Sequence, residues 1–379
     1  MIGVYVHIPF CRHRCPFCDF YTLPQGQDDG HESYTLNILK EIDLFPSFPF
    51  SNKTILDTFF FGGGTPSLIH PKHLEKIILH LNKKLSFSKE IEISIEVNPE
   101  DITDEKALHW KTIGINRINV GVQSFFPKEL QRLERDVDET KTFKGFEILK
   151  KHFNNIGIDL MFGLEHQTLN AWEKNLAAAV STNPTHISTY NLTLEENTPY
   201  AKEHKNKTLI LPSDDIQAAQ YLLAVDFLKS VDFKHYEISN FCKPGFESKH
   251  NLKYWTHQDY WGLGVSAHSY SSSTQSRWWN PKNMHTYAQK LALGSVPLQE
   301  TEHLTQDQQW MEHILSGLRA IEGLDLLKLQ ALFPEKLSQF QKKIQKLIQS
   351  EHVYIENDTL KLTRKSLPIA NEITAQLAI

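Results

Sequence analysis

Three of the four cysteines in this chain lie within one stretch of eight residues and have the spacing CxxxCxxC: Cys11, Cys15 and Cys18. Thiolates are preferred ligands of zinc and of iron–sulfur clusters. Structural zinc sites usually have four protein ligands, whereas three cysteines suit a cubane cluster with one iron left open to a small molecule. The spacing therefore favours a cubane iron–sulfur cluster, with a zinc site completed by His7 or His13 as the alternative.

The side chains beside these cysteines are basic. Arg12, His13 and Arg14 are expected to favour the anionic thiolate form that binds metal. The fourth cysteine, Cys242, has no partner by spacing and is expected to be a buried structural thiol. So few cysteines in 379 residues exclude a disulfide scaffold.

Glycines and polar residues follow the β-type segments of the chain. A glycine run followed by threonine, Gly62 to Thr65, ends the second such segment, and glycines let a backbone approach a ligand closely. Each residue alone could be an ordinary turn or strand-end group. Together they predict polar groups around the mouth of a βα barrel, where barrel active sites lie. The polar residues concerned are Glu96, Gln123, Asp159, Asn191 and Thr193.

Six segments rich in Val, Ile, Phe and Tyr alternate with segments of helical periodicity, which predicts an α/β fold with a parallel sheet. Six units are fewer than the eight of a closed barrel, so either the barrel is partial or later units are disguised. Residues 234–240 are a candidate seventh strand. The six predicted strands are 4–9, 55–62, 90–97, 115–122, 156–163 and 186–192, and the helical segments are 72–85, 104–110, 139–150 and 171–180.

The pattern changes after about residue 300, where helical segments are followed by a hairpin that turns at Asn357 and Asp358. This order predicts a small, mostly helical, winged-helix-like domain. A serine-rich stretch, Ser269 to Ser273, is expected to be a loop. The predicted helices are 306–322, 326–332 and 338–350, and the hairpin is 353–363.

Composition excludes several classes of protein. Hydrophobic residues make up 40% and charged residues 22%, as in a folded chain rather than a disordered one. The net charge of -5 gives no broad basic field for nucleic acid. No apolar run is long enough to span a bilayer, and the first residues lack the features of a signal peptide. A cytoplasmic location is therefore expected.

The cysteine pattern at the end of a first strand, in a βα-repeat chain, resembles the radical S-adenosylmethionine (SAM) superfamily. The segments VYVHIPFC, FFGGGTPS, EVNPE, NRINVGVQSF and IDLMFGLE, with the C-terminal helices and hairpin, resemble its coproporphyrinogen III oxidase-like branch. The resemblance implies a partial (β/α)6-type barrel, a [4Fe-4S] cluster on Cys11, Cys15 and Cys18, and SAM bound to the open iron. It implies SAM contacts from Tyr5, Phe17, Gly63, Gly64, Thr65, Glu96, Gln123, Arg135, Asp159 and Thr193.

Arg135 is predicted to lie in a helix, and without the resemblance it would be interpreted as a surface arginine. Two departures separate the chain from the oxidases of this branch. Phe20 stands where they have a further cysteine, and only three residues precede the first predicted strand, where they have an extension. Both departures argue against oxidase activity, although oxygen-independent decarboxylation of coproporphyrinogen III is the alternative function.

Residues His250 to Trp255 have the pattern HNxxYW, which resembles the heme-binding motif of heme chaperones in this branch. Imidazole is a usual axial ligand of heme iron, so His250 is expected to bind the iron. Tyr254 and Trp255 are expected to pack on the macrocycle. The nearby tryptophans are expected either to line an apolar pocket or to belong to the core: Trp261, Trp278 and Trp279.

The resemblance thus implies a heme chaperone that holds a [4Fe-4S] cluster, SAM and heme and passes heme to an unidentified acceptor, for example a respiratory protein. The expected domains are a radical SAM barrel over 1–235, a heme-motif region and linker over 236–300, and the C-terminal domain over 301–379. Whether the chain is a monomer or a homodimer, whether SAM is cleaved or only bound, and whether heme is held covalently stay open.

Overall fold

The computed structural model describes residues 1–24, 30–44 and 54–378. In the first half of the chain, strands alternate with helices. The strands are β1 (Ile2–Ile8), β2 (Phe10–Cys11), β3 (Leu23–Pro24), β4 (Ile55–Gly63), β5 (Ser86–Val97), β6 (Arg117–Gln123), β7 (Ile156–Phe162) and β8 (His186–Asn191). The helices are α1 (His31–Leu44), α2 (Pro71–Lys84), α3 (Asp104–Thr112), α4 (Pro127–Arg132), α5 (Glu139–Lys150) and α6 (Leu169–Ser181).

The next part of the chain has shorter strands and four helices. The helices are α7 (Pro199–Lys205), α8 (Asp214–Ser230), α9 (Lys249–Trp255) and α10 (Met284–Ala292). The strands are β9 (Lys234–Glu237), β10 (Asn240–Cys242), β11 (Tyr260–Leu263), β12 (His268–Ser271), β13 (Ser276–Trp279) and β14 (Glu300–His303).

The C-terminal part begins at α11 (Gln306–Arg319) and has its own core and a small three-stranded sheet. Asn357 and Asp358 both have positive φ, 50° and 57°, so the hairpin turns where the sequence predicts. The other elements are β15 (Leu324–Asp325), α12 (Leu326–Leu332), α13 (Leu337–Gln349), β16 (Val353–Glu356), β17 (Thr359–Leu362) and α14 (Ala370–Ala378).

The six predicted strands form the parallel centre of a twelve-stranded sheet in the order β1-β4-β5-β6-β7-β8. Their burial is nearly continuous because helices cover the outer face, and in β1 Ile2, Val4, Val6 and Ile8 are fully buried. The free side of β1 pairs with β11 rather than with β8. The barrel is therefore open and partial, as expected.

Antiparallel strands extend both ends of this parallel centre. β12, β13 and β14 follow β11 at one end, and β10 and β9 follow β8 at the other. The candidate seventh strand is thus present as β9, but in a hairpin rather than a βα unit. The expected Ser-rich loop is wrong in part, because Ser269 to Ser271 belong to β12, where the Ser269 hydroxyl accepts from the Gly262 amide at 2.9 Å.

Residues 236–300 were expected to include a linker, but they share the barrel core. Trp261, Leu263 and Leu291 belong to the same buried cluster as the residues of β1. These residues therefore extend the barrel instead of separating it from the C-terminal part. Within the described ranges, no helix is both long and apolar enough to cross a bilayer.

Candidate functional site

The three clustered cysteines follow β1 at the carboxyl ends of the parallel strands, with Cys11 at the end of the short strand β2 and Cys15 and Cys18 in the loop after it. Backbone hydrogen bonds anchor this loop, from the Leu23 amide to the Pro9 carbonyl at 2.7 Å and from the Tyr200 amide to the Pro16 carbonyl at 3.1 Å. Cys11, Cys15 and Cys18 all line one cavity of about 400 Å³, here called the outer cavity. In the part of the chain that the structure describes, no three His, Cys, Asp or Glu side chains are already grouped as metal ligands.

Burial, rather than the adjacent arginines, has the largest effect on the pKa of Cys11 and of Cys18. It raises the pKa of Cys11 to about 11, and the side chains that oppose this shift are Thr65 and Arg135. Arg12 pairs instead with Asp101 and with Glu100, the latter at 3.7 Å. Burial also raises the pKa of Cys18 despite Arg14. Arg14 therefore favours the thiolate of Cys18, as expected, but burial outweighs it, and Arg12 has no such effect on Cys11. Full ionisation of Cys11 and Cys18 would need a bound metal.

The glycine run at the end of β4 packs against the cysteine loop. The Gly64 amide donates to the Ile8 carbonyl at 2.8 Å, and the Thr65 amide donates to the Phe10 carbonyl at 2.8 Å. A Cβ at Gly64 would lie 2.9 Å from the Cys11 sulfur and 2.8 Å from the Phe10 carbonyl oxygen. Glycine is needed here because the two loops touch each other, a reason that the sequence pattern alone does not give.

Two carboxylates, Glu96 on β5 and Asp159 on β7, lie in the wall between the outer cavity and a smaller one. The smaller cavity, about 300 Å³, lies between Glu96 and His250 and is here called the inner chamber. Burial, with the nearby Asp159 charge, raises the pKa of Glu96 to about 8, against one hydrogen bond from the Gly63 amide at 3.1 Å. Burial raises the pKa of Asp159 to about 6. The pair can therefore hold a proton or face a cationic ligand.

Arg135 lies in the loop after α4, so its predicted helical position is wrong. Its guanidinium lines the outer cavity and donates to Asn98 at 2.7 Å and to the Gly121 carbonyl at 2.9 Å. Its Nε is buried without a hydrogen-bond partner among the described residues. Asn98, in the segment EVNPE, accepts one of the guanidinium hydrogen bonds and so helps to hold Arg135, a role that the sequence pattern did not indicate.

Gln123 ends β6 in a left-handed conformation, with φ of 68°, beyond an irregularity in the pairing of β6 with β7. Such a conformation is uncommon for residues other than glycine and often marks a functional site. The side chain lines the outer cavity. Three of the other expected SAM residues, Tyr5, Phe17 and Thr193, line an adjacent cavity of about 630 Å³, here called the side cavity, and of these Phe17 also lines the outer cavity.

His250 lies on α9 and is only 1% exposed. Its Nδ1 lies 2.9 Å from the Thr58 hydroxyl and its Nε2 lies 2.9 Å from the Tyr254 hydroxyl, so both ring nitrogens are already paired. The ring stacks on Phe60, and burial lowers the pKa of His250 to about 3. The histidine is therefore neutral and faces the inner chamber, whereas Tyr254 reaches both this chamber and the side cavity.

The tryptophans of this region face different surroundings. The Trp255 ring lies under the guanidinium of Arg319 from α11, with 4.5 Å between the Arg319 Cζ and the ring centroid. Trp261 is buried in the core, Trp278 packs against that core, and Trp279 stacks on His268. Of the two expectations for Trp261 and Trp278, core packing is the one that the structure favours.

The residues around the outer cavity fit the groups that the resemblance implies. Three thiols on one wall supply a suitable donor set for a cluster with an open iron. The orphaned Nε of Arg135 suits an anionic group such as a carboxylate, and Glu96 and Asp159 suit a cationic or hydroxyl-bearing group. His7, considered for a zinc site, already pairs both ring nitrogens, with the Tyr5 hydroxyl at 3.1 Å and the Tyr21 carbonyl at 2.8 Å.

Comparison with known proteins defines the class first. The radical SAM superfamily profile matches residues 5–179, and the profile of the HemN C-terminal domain matches residues 304–369. The fold superposes on that of Escherichia coli coproporphyrinogen III oxidase (HemN), a radical SAM enzyme, with a TM-score of 0.85. This match covers 99% of the chain and 89% of the oxidase at 23% identity, so it concerns the fold. The molecule has a radical SAM fold with a HemN-type C-terminal domain.

Sequence relatives then narrow the assignment. The chain is 32% identical to the heme chaperone HemW of Bacillus subtilis over 98% of both chains. It is 33% identical to the heme chaperone HemW of Lactococcus lactis over 98% of this chain and 96% of that protein. The chain belongs to the heme chaperone HemW family.

Proposed function

We propose that this chain is a heme chaperone that binds a [4Fe-4S] cluster, SAM and heme and transfers heme to an acceptor protein. The observation that carries the proposal is the position of the HNxxYW motif. Its Tyr254 lies in the wall of the side cavity, which is also lined by Cys18. Heme held there would lie beside the proposed cluster, so one protein would bring both groups together.

The proposed SAM residues line the outer cavity, except Tyr5 and Thr193, which line the adjoining side cavity. Cys11, Cys15 and Cys18 would hold the cluster, and SAM would lie beside them in the outer cavity. The cluster and SAM would supply the redox chemistry, while the protein positions them. The proposed SAM contacts are Tyr5, Phe17, Gly63, Gly64, Thr65, Glu96, Gln123, Arg135, Asp159 and Thr193, and the proposed heme-motif residues are His250, Tyr254 and Trp255.

Phe20 supports a carrier rather than an oxidase. Its side chain is 66% exposed and borders all three cavities. An exposed phenyl ring can pack on a flat macrocycle but offers no ligand or acid–base group for decarboxylation. The cytoplasm is the proposed location, and the acceptor is proposed to be a hemoprotein.

Anaerobically reconstituted protein, titrated with heme and then mixed with apomyoglobin as a model acceptor, tests this proposal. We expect stoichiometric heme binding and transfer of that heme to apomyoglobin. Incubation with coproporphyrinogen III, SAM and a reductant is the second arm, and no protoporphyrinogen should form. Protoporphyrinogen formation, or absence of heme binding, would overturn the proposal, and zinc without iron in the purified protein would argue against the cluster.

A further inference from the structure

Three histidines lie in or directly behind the wall of the side cavity, and they differ in how their rings are paired. His7 bonds to Tyr5 and Tyr21, and His250, behind Tyr254, bonds to Tyr254 and Thr58. His268 lines the cavity and is exposed. No group in the described part of the chain is hydrogen-bonded to its ring nitrogens. Iron can therefore coordinate His268 without breaking a bond within the protein.

The backbone fixes the position of His268. It begins β12 and pairs across the sheet with Trp279 of β13, whose ring stacks on the imidazole at 5.5 Å between centroids and 22° between planes. A Cβ at Gly262 would lie 2.1 Å from the His268 carbonyl oxygen, so Gly262 allows β11 to approach β12 closely. An imidazole held in this way keeps an orientation that a ligand can use.

The two candidate spaces also differ in size and lining. The inner chamber that His250 faces measures about 300 Å³ and carries the polar groups of Asn119, Ser188 and Asn251. The side cavity measures about 630 Å³, which is in the range for sites of drug-sized ligands. Its wall includes the rings of Phe17, Phe20, Tyr254 and Tyr260. Aromatic rings also border the inner chamber, so the larger volume of the side cavity is what favours it for a porphyrin.

A cation lies at the same rim as His268. Lys282 lines the side cavity, is exposed and makes no ion pair with the acidic residues that the structure describes. Its ammonium can pair with a carboxylate. Asp19 and Glu195 also line this cavity and would repel a carboxylate placed near them. A heme is therefore expected to turn its propionates toward Lys282.

We infer that heme occupies the side cavity with His268 as the ligand of its iron and Lys282 as the partner of a propionate. This inference rests on the proposed heme-chaperone function. In this arrangement His250 is a positioning residue, because its Nε2 holds the hydroxyl of Tyr254, whose ring forms the wall on which the macrocycle packs. The HNxxYW motif thus contributes to heme binding through Tyr254 rather than through an iron–imidazole bond.

Heme titrations of the full-length, cluster-containing protein test this inference through the optical and electron paramagnetic resonance spectra. We expect His268→Ala to lose the histidine-ligated spectrum and at least tenfold in affinity. Added imidazole should restore that spectrum in His268→Gly. His250→Ala should keep the histidine-ligated spectrum and lose less affinity. His285→Ala is the matched control, because His285 is an exposed histidine on α10 that lines none of the three cavities.

The outcomes separate the inference from the proposed function. An unchanged spectrum in His268→Ala, together with loss of the histidine-ligated spectrum in His250→Ala, would overturn the inference and leave heme binding intact. A wild-type protein that binds no heme would overturn both. Iron and sulfide content, measured on each variant, shows that a loss of heme does not result from failure to fold.

Discussion

Glu41 and Glu96 are two glutamates in the same barrel with opposite surroundings. Glu41, on α1, is buried and accepts three hydrogen bonds, from the Gly264 amide at 2.8 Å, the Tyr287 hydroxyl at 2.6 Å and the Asn280 amide at 2.6 Å. Glu96 accepts one, from the Gly63 amide, and otherwise faces the cavities. Protein groups complete the surroundings of Glu41, whereas Glu96 has one hydrogen-bond donor and borders two cavities.

The same contrast separates His250 from His268 and Arg132 from Arg135. His250 has both ring nitrogens paired, and Arg132 pairs with Glu165 and Glu203. Arg135 keeps a buried nitrogen unpaired at a cavity wall. Buried polar groups are normally hydrogen-bonded, so each exception needs an explanation. The unpaired nitrogen of Arg135 lies where a cofactor is proposed to bind, so variants of Arg132 and Arg135 should respond differently.

The largest expected effect is loss of the cluster when a thiol of the outer cavity is removed. Cys15→Ala should abolish the iron and sulfide content of anaerobically prepared protein, because two thiolates cannot hold the cubane in place of three. Cys242→Ala is the control, because Cys242 is fully buried in β10, away from the cavities. Equal iron content in the two variants would show that the CxxxCxxC loop does not bind the cluster.

The next largest effect is expected in the folding stability, through the buried carboxyl of Glu41. Burial raises the pKa of Glu41 to about 7 in the folded protein, from 4.5 without burial. Between these values the Glu41 carboxyl binds more protons in the folded state than in the unfolded state, so the contribution of Glu41 to stability falls as pH rises from about 4.5 to 7 and is then constant. The loss should be on the order of 3 kcal/mol.

Comparison of the wild type with Glu41→Gln isolates this contribution, because glutamine does not titrate. The variant should be less stable throughout, by about 1–3 kcal/mol at high pH, since its amide meets a hydrogen-bond donor. The difference in the free energy of unfolding, measured by denaturant titration, should be largest near pH 4.5 and shrink toward pH 7. A difference that does not vary with pH would show that Glu41 keeps an ordinary pKa.

A smaller effect is expected for SAM affinity. Arg135→Ala removes a charged donor from the outer cavity, and such hydrogen bonds contribute about 2 kcal/mol, or roughly thirtyfold in affinity. Arg132→Ala is the matched control, because its ion pairs lie outside the cavity. Isothermal titration of the cluster-containing protein with SAM measures both. A weaker affinity in Arg132→Ala than in Arg135→Ala would contradict the division between completed and open sites.

The sequence predicts the central strands well because each is a short, almost continuous apolar segment, as buried parallel strands require. It predicts β11 to β14 poorly. These strands have four residues each and include Gly262 and several serines, which have low strand propensity. Pairing of β11 with β1 joins distant parts of the chain and leaves no local pattern, and β12, β13 and β14 then add to this edge one after another.

The sequence pattern likewise predicts the position of some site residues and not of others. Glu96, Gln123 and Asp159 were predictable because they lie on strands whose carboxyl ends meet at one edge. Arg135 lies in a loop, and its position depends on Asn98 and on the Gly121 carbonyl, so its spacing in the chain carries no signal. His268 gave no signal either, because its accessibility depends on how β12 packs on β13.

The smallest effect should come from the rim of the side cavity. Lys282→Gln removes the ammonium proposed to pair with a heme propionate, and because the pair is exposed to solvent we expect only about a threefold loss in heme affinity. The dimethyl ester of heme has no carboxylates, so wild type and variant should bind it equally. Lys290→Gln is the control, since Lys290 lies on α10 and donates to the Leu298 carbonyl at 2.7 Å. Equal losses for heme and its ester would show that Lys282 acts on the macrocycle rather than on a propionate.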